Sequence, residues 1–143
     1  MTREDKQLLV KDLCQRLPYG VRCAGWLNIT SDKDVDKVYP WVDGELMDGI
    51  TDIQVRIQGT WIKIEFVRPY LRPLSSMTPE EKKYIKYKWG YSDWDTLNDF
   101  MNYSLIDTCD AESFIDWLNA NHFDYRGLIE KGLAIDATGL NIY

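Results

Sequence analysis

The run Ile53-Gln-Val-Arg-Ile57, then Gln58-Gly59, then Ile62-Lys-Ile-Glu-Phe66 constrains the fold more than any other part of this chain. Apolar side chains at every second position turn one face of a strand to a core and the other to water. A short link containing glycine between two such runs predicts a tight hairpin. A lone hairpin is marginal in water, so a larger sheet must form around it. Residues 21–68 supply the material. Val21, Cys23, Gly25, Leu27 and Ile29 share one parity, and residues 35–42 read as a strand that Pro40 confines to an edge. Asp43-Gly44 and Asp48-Gly49 read as tight turns.

Helical spacing flanks this region. Leu9, Leu13 and Leu17, with Val10 and Cys14 beside them, predict a helix over residues 2–16. Thr2 caps it with Asp5 three residues on, and Leu17-Pro-Tyr-Gly20 stops it. Val67 to Pro73 is expected to leave the sheet, held extended by its two prolines. Thr78-Pro-Glu-Glu81 carries an N-cap, a proline at the first helical position and a capping box, which predicts a helix over 79–89 closed by Gly90. Ser92 and Asp110 are expected to cap two more helices. Trp94, Leu97, Phe100 and Met101 face inward on the first, and Phe114, Ile115, Trp117 and Leu118 on the second. Asp124 opens a short turn or helix that Gly132 ends, and the tail from Asp136 to Tyr143 has no periodicity. The whole reads as one α+β domain over residues 1–143. An N-terminal helix (2–16) packs on an antiparallel sheet or small barrel (21–68), followed by a helical region (79–132). A chain of 143 residues buries enough surface to fold without metal or disulfide.

The opening residues are charged with no apolar stretch behind them, and no run of 18 apolar residues occurs. An odd set of cysteines, Cys14, Cys23 and Cys109, fits a reducing compartment. These features predict a cytoplasmic protein without a membrane span. The net charge is −6, which argues against generic nucleic-acid binding, but the charge is unevenly spread. Residues 63–89 hold seven basic and three acidic groups, whereas residues 90–143 hold two and ten. Acids lead and lysines follow on the helix at 79–89, as its dipole prefers, so much of this charge has a structural reason.

No motif for catalysis or for cradling phosphate is present. His122 lacks a local triad cue and is expected to be a helix-end histidine with its ring nitrogens hydrogen-bonded. Cys14, Cys23, Cys109 and His122 lack the short spacings of a zinc site. Asp32, Asp34 and Asp36 alternate like a calcium loop, but Lys37 and Asp43 stand where its glycine and glutamate belong. No catalytic residue, metal ligand or cofactor is therefore assigned. Asp93, Asp95, Asp99, Asp107, Asp110, Glu112 and Asp116 leave open a small hydrolase with dispersed carboxylates, although acids spread over helices more often form a solvated face.

Three stretches resemble a known group. They are Asp12-Leu-Cys-Gln-Arg-Leu-Pro-Tyr-Gly-Val21, Pro69-Tyr-Leu-Arg-Pro-Leu-Ser-Ser-Met-Thr78, and Trp117-Leu-Asn-Ala-Asn-His-Phe-Asp-Tyr-Arg-Gly-Leu-Ile-Glu-Lys-Gly-Leu-Ala134. Together they are similar to small hypothetical proteins of gut Bacteroides-type bacteria and their phages. The resemblance implies a bacterial or prophage cytoplasmic setting and carries over no site residue. Segregated charge and an excess of aromatics, with six Trp and nine Tyr, point to a non-enzymatic protein–protein interaction module. Its partner is another protein or a second copy of the chain. The alternative is a nucleic-acid-associated protein. In both readings the surface is Arg68, Arg72, Lys82, Lys83, Lys86 and Lys88 with Tyr84, Tyr87 or Trp89. On the helix, Ile85 and Trp89 are expected to face the core, with Tyr84 and Tyr87 half-buried among the lysines.

Overall fold

The computed structural model describes residues 1–26, 40–89 and 109–143. Helix α1 spans Arg3–Arg16. Its first turn is closed by the reciprocal box in which Asp5 N donates to Thr2 Oγ1 (3.1 Å) and Thr2 N donates to Asp5 Oδ2 (3.3 Å). The chain then forms β1 (Arg22–Gly25), β2 (Val42–Met47), β3 (Gln54–Ile57), β4 (Thr60–Lys63) and β5 (Val67–Pro73). Helix α2 (Pro79–Trp89) and helix α3 (Cys109–Ala120) follow, and two short strands, β6 (Phe123–Asp124) and β7 (Ile135–Asp136), complete the elements. The α+β class holds. The expected helix after Ser92 and the first part of the strand expected at 35–42 lie outside the described residues.

The hairpin forms where alternation places it. Val55 pairs with Ile62, and the link has positive φ at both Gln58 (45°) and Gly59 (86°), as a tight turn matching strand twist requires. Asp43-Gly44 makes no turn. Both residues lie inside β2, where Gly44 is buried under the Gln58 side chain and a Cβ there would come within 2.2 Å of it.

The strand order among the described residues is β4-β3-β2-β1-β5-β6, with β7 also on β5. The sheet is open and mixed, neither wholly antiparallel nor a closed barrel, because β6 and β7 both run parallel to β5. The segment 67–73 does not leave the sheet. Its extended backbone becomes an interior strand, and the prolines are tolerated at the ends of pairing stretches. Pro69 ends the ladder with β1, and Pro73 ends the one with β6.

β2 pairs β1 through Val42 to Glu45 and β3 through Leu46 and Met47, so it passes from one half of the sheet to the other. The sheet curls until β1 faces β4, and a Cβ built on Gly25 would lie 2.9 Å from Ile62 Cγ1. The main core fills this concave face. Leu9 and Leu13 of α1 meet Cys23, Leu46, Val55, Ile57, Ile62, Val67 and Leu71, with Leu128 and Leu133 closing the end. The convex face of β1 and β5 is not solvated. The aperiodic tail lies across it, and Ala137, Ile135 and Ile142 pack on Ala24, Trp26 and Tyr70. A third cluster joins α2 to α3 through Met77, Ile85, Phe114, Leu118 and Phe123.

Candidate functional site

Helix α2 starts as its sequence dictates. Glu81 N donates to Thr78 Oγ1 (3.2 Å) and Thr78 N donates to Glu81 Oε1 (3.0 Å). Ile85 is the buried anchor, packed in the cluster with Phe114 and Leu118. At about 100° per residue, Lys83 and Tyr87 stand roughly 160° round the axis from it. That places them at the solvent pole, with Lys86 about 100° round from Tyr87 and Lys82 nearer the Ile85 side. Tyr87 is accordingly 89% exposed, not half-buried, because nothing described packs on that pole.

Tyr84 does sit part-way in, at 40% exposure. Its ring stacks on Trp117 (centroids 5.8 Å apart, planes at 28°). Lys88 also lies over the ring, with Nζ 5.6 Å from the ring centroid and donating to the hydroxyl at 3.2 Å. The Trp89 side chain lies outside the described residues. Lys82, Lys83 and Lys86 are exposed and form no ion pair with any described residue.

The two arginines expected on this surface are structural. Arg68 is 4% exposed, and its guanidinium donates to the backbone carbonyls of Gly132 (2.9 Å), Glu65 (3.0 Å) and Val67 (2.8 Å). It ties β5 to the turn before β7. Arg72 grips Glu81 with two parallel hydrogen bonds (3.0 and 2.7 Å) and lies 4.2 Å over the Phe123 ring. Burial alone would raise the Glu81 carboxyl, but the Arg72 and Thr78 hydrogen bonds outweigh it and its pKa falls below the usual value. Both arginines carry charge-assisted bonds in the fold and are withdrawn from any partner.

A second polar assembly was not anticipated. Asp12 and Arg16 are wholly buried, with Arg16 Nε donating to Asp12 Oδ2 at 2.7 Å. Arg16 Nη2 also donates to the Phe123 carbonyl (2.6 Å), and Arg126 Nη1 donates to Asp12 Oδ1 (2.7 Å). The guanidinium carbons of Arg16 and Arg126 both lie over the Tyr125 ring, 5.3 and 4.6 Å from its centroid. The sequence carried a signal for this, since Asp12 and Arg16 fall on the Leu9–Leu13 stripe at i,i+4 spacing. A charged pair on an apolar stripe must find partners inside. These bonds join α1 to the region after α3, and the buried Arg16 Nη1 has no hydrogen-bond partner.

His122 follows α3 with φ +62°, the left-handed region, and its ring stacks on Tyr143 with centroids 3.7 Å apart and planes at 13°. The expected hydrogen bonding of both ring nitrogens does not occur, because buried Nδ1 has no partner. Burial, with the positive charges of Arg16 and Arg72 nearby, pushes its pKa down to about 4. A neutral ring sandwiched by Tyr143 is a packing element. Tyr143 is itself held, accepting from Arg22 N (2.8 Å) and donating to the Tyr70 carbonyl (2.8 Å).

Cys23 is buried, and desolvation followed by the Asp12 charge pushes its thiol far up, away from the nucleophilic form. Cys14 is exposed, and Cys109 lies outside the described side chains. Among the described residues no three His, Cys, Asp or Glu side chains converge to hold a metal ion. Of the acidic candidates only Asp116 is described, and it is exposed on α3. Asp93, Asp95, Asp99 and Asp107, the side chains of Asp110 and Glu112, and the triplet Asp32, Asp34 and Asp36 lie outside the described set. Among the described residues no helix is long and apolar enough to cross a membrane. Comparison with protein-family models, with characterised proteins and with solved structures finds no match for this chain.

Proposed function

We propose that this chain is a non-enzymatic protein-interaction module whose contact surface is the outer pole of α2. The observation that carries the reading is Tyr87, 89% exposed on a helix whose opposite side is anchored by buried Ile85. A large ring costs free energy in water and gains it on docking, and tyrosine is enriched at the centres of interfaces. Lys83 beside the ring and Lys86 a quarter-turn away select an acidic partner surface through steering and complementarity. The resemblance noted from the sequence supports a bacterial or prophage cytoplasmic setting.

A second reading, contact with single-stranded nucleic acid, draws on the same exposed ring among lysines. It is less favoured because the basic set has shrunk. Arg68 and Arg72 are bonded within the fold, and Tyr84 is occupied by Trp117 and Lys88. One ring on a convex helix is a poor substitute for the stacking platform and groove that strand binders use. Selection from a peptide display library separates the two. Acidic peptides should be recovered, and Lys83→Glu/Tyr87→Ala should abolish their binding without changing the fold. Binding of a single-stranded oligonucleotide that falls steeply with salt, and is lost in the same variant, would put the second reading in place of the first.

A further inference from the structure

We propose that the open edge of β4 pairs with β4 of a second copy of this chain, antiparallel, with Trp61 opposite the second copy's Lys63 in both directions. Strand β4 is the last in the sheet order. Its partner residues across the hairpin are Ile57 with Thr60 and Val55 with Ile62, and the series continues in the bond from Ile64 N to Ile53 O (2.9 Å). In an antiparallel ladder alternate residues exchange both backbone bonds with the neighbour. Thr60, Ile62 and Ile64 therefore point their N–H and C=O groups at β3. Those of Trp61 and Lys63 point the other way, and no described residue bonds to them apart from Phe66 N, which donates to the Lys63 carbonyl in the 3-10 turn over Ile64–Phe66.

Proteins usually blunt such an edge with charge, proline or a bulge. Here Lys63 is the only device of that kind on the strand, and Trp61 beside it is 45% exposed. Trp61 sits opposite Arg56, and Arg56 opposite Met47, so an apolar and cationic row runs to the edge on the outer face.

Three self-pairings put these open groups to use. Trp61 opposite itself leaves Lys63 facing the Gly59 turn. Lys63 opposite itself sets like charges across the ladder, which is destabilising. Trp61 opposite Lys63 joins the open Lys63 N–H of each chain to the Trp61 carbonyl of the other, and the second lone pair of each Lys63 carbonyl takes the Trp61 N–H. It also places each ammonium against an indole face, a favourable cation–π contact. The strand is thus complementary to its own antiparallel copy in one register. This pairing uses none of the α2 surface, so it stands or falls independently of the function proposed above.

Sedimentation across a concentration series, combined with amide hydrogen exchange, tests the pairing. The chain should pass from monomer to dimer, with the Trp61 and Lys63 amides gaining protection as the dimer forms. Lys63 has φ −61° and ψ 142°, a conformation that proline adopts without strain. Lys63→Pro therefore removes an edge donor unused in the monomer. It should keep the circular dichroism spectrum and abolish the dimer. Lys63→Glu leaves the backbone donors but removes both cation–π contacts, and should weaken association by about tenfold. A chain that stays monomeric throughout the series overturns the proposal. So does a dimer that Lys63→Pro leaves intact.

Discussion

Replacing Asp12 with alanine removes the one carboxylate shared by two arginines. Arg16 is fully buried and would keep only its bond to the Phe123 carbonyl, with no opposite charge against it. Breaking a buried pair in this way costs about 3–5 kcal/mol, because the remaining charge stays desolvated. Arg126 adds little to that figure, since its side chain is 14% exposed and water can solvate it once released. The two losses share one acceptor and do not add. A chain of this length loses about 3 °C of melting temperature per kcal/mol, so a fall of roughly 10–15 °C is expected. Urea denaturation at constant slope is the assay, read as the shift in midpoint. The control is Glu65→Ala, which breaks the ion pair with Lys6, whose two side chains are 35% and 32% exposed. That change should cost about 0–1 kcal/mol. If Asp12→Ala proves as mild as the control, the argument that burial sets the cost is wrong. Replacing Asp12, Arg16 and Arg126 together by apolar residues should recover much of the loss, since no charge is then stranded.

Thr78→Ala removes the acceptor for Glu81 N and should lower stability by about 0.5–2 kcal/mol in the same titration, with Thr78→Ser restoring it. Gly25→Ala should cost about 1–3 kcal/mol, because its new methyl meets Ile62 at 2.9 Å and Val42 at 3.1 Å in a closed core. His122 has a folded pKa near 4, below its ordinary 6.5, so the unfolded chain binds more protons between those values. Stability from this group is therefore complete above about pH 6.5 and declines as pH falls toward 4. His122→Asn tolerates the positive φ and cannot titrate, so its denaturation midpoint should change less with pH over that window. Equal slopes for the two proteins would remove His122 from the account.

What the sequence determined by itself was everything that closes within a few residues. Thr2 with Asp5 and Thr78 with Glu81 start α1 and α2 through bonds spanning three positions, and each helix begins where those residues stand. The alternation around Gln58-Gly59 set both the hairpin and its register, because the side-chain period and the turn agree. Asp124 opens its turn by accepting from Leu128 N and Ile129 N at 2.9 Å each. Ile85 was legible as the core side of α2, and helix geometry then put Tyr87 opposite. What the tertiary structure alone decided was which charged and aromatic side chains were left over. Arg68 finds its acceptor 64 residues away at Gly132, and Arg126 finds Asp12 at a separation of 114. Tyr84 is covered because Trp117 arrives from α3, while Tyr87, three positions on, meets nothing described. The prolines of β5 read locally as an exit from the sheet, yet β1, β6 and β7 assemble around that strand from distant parts of the chain. Such partners are chosen by burial of the whole core, and a charge or a ring carries the same local signature whether it ends in water or beneath another element.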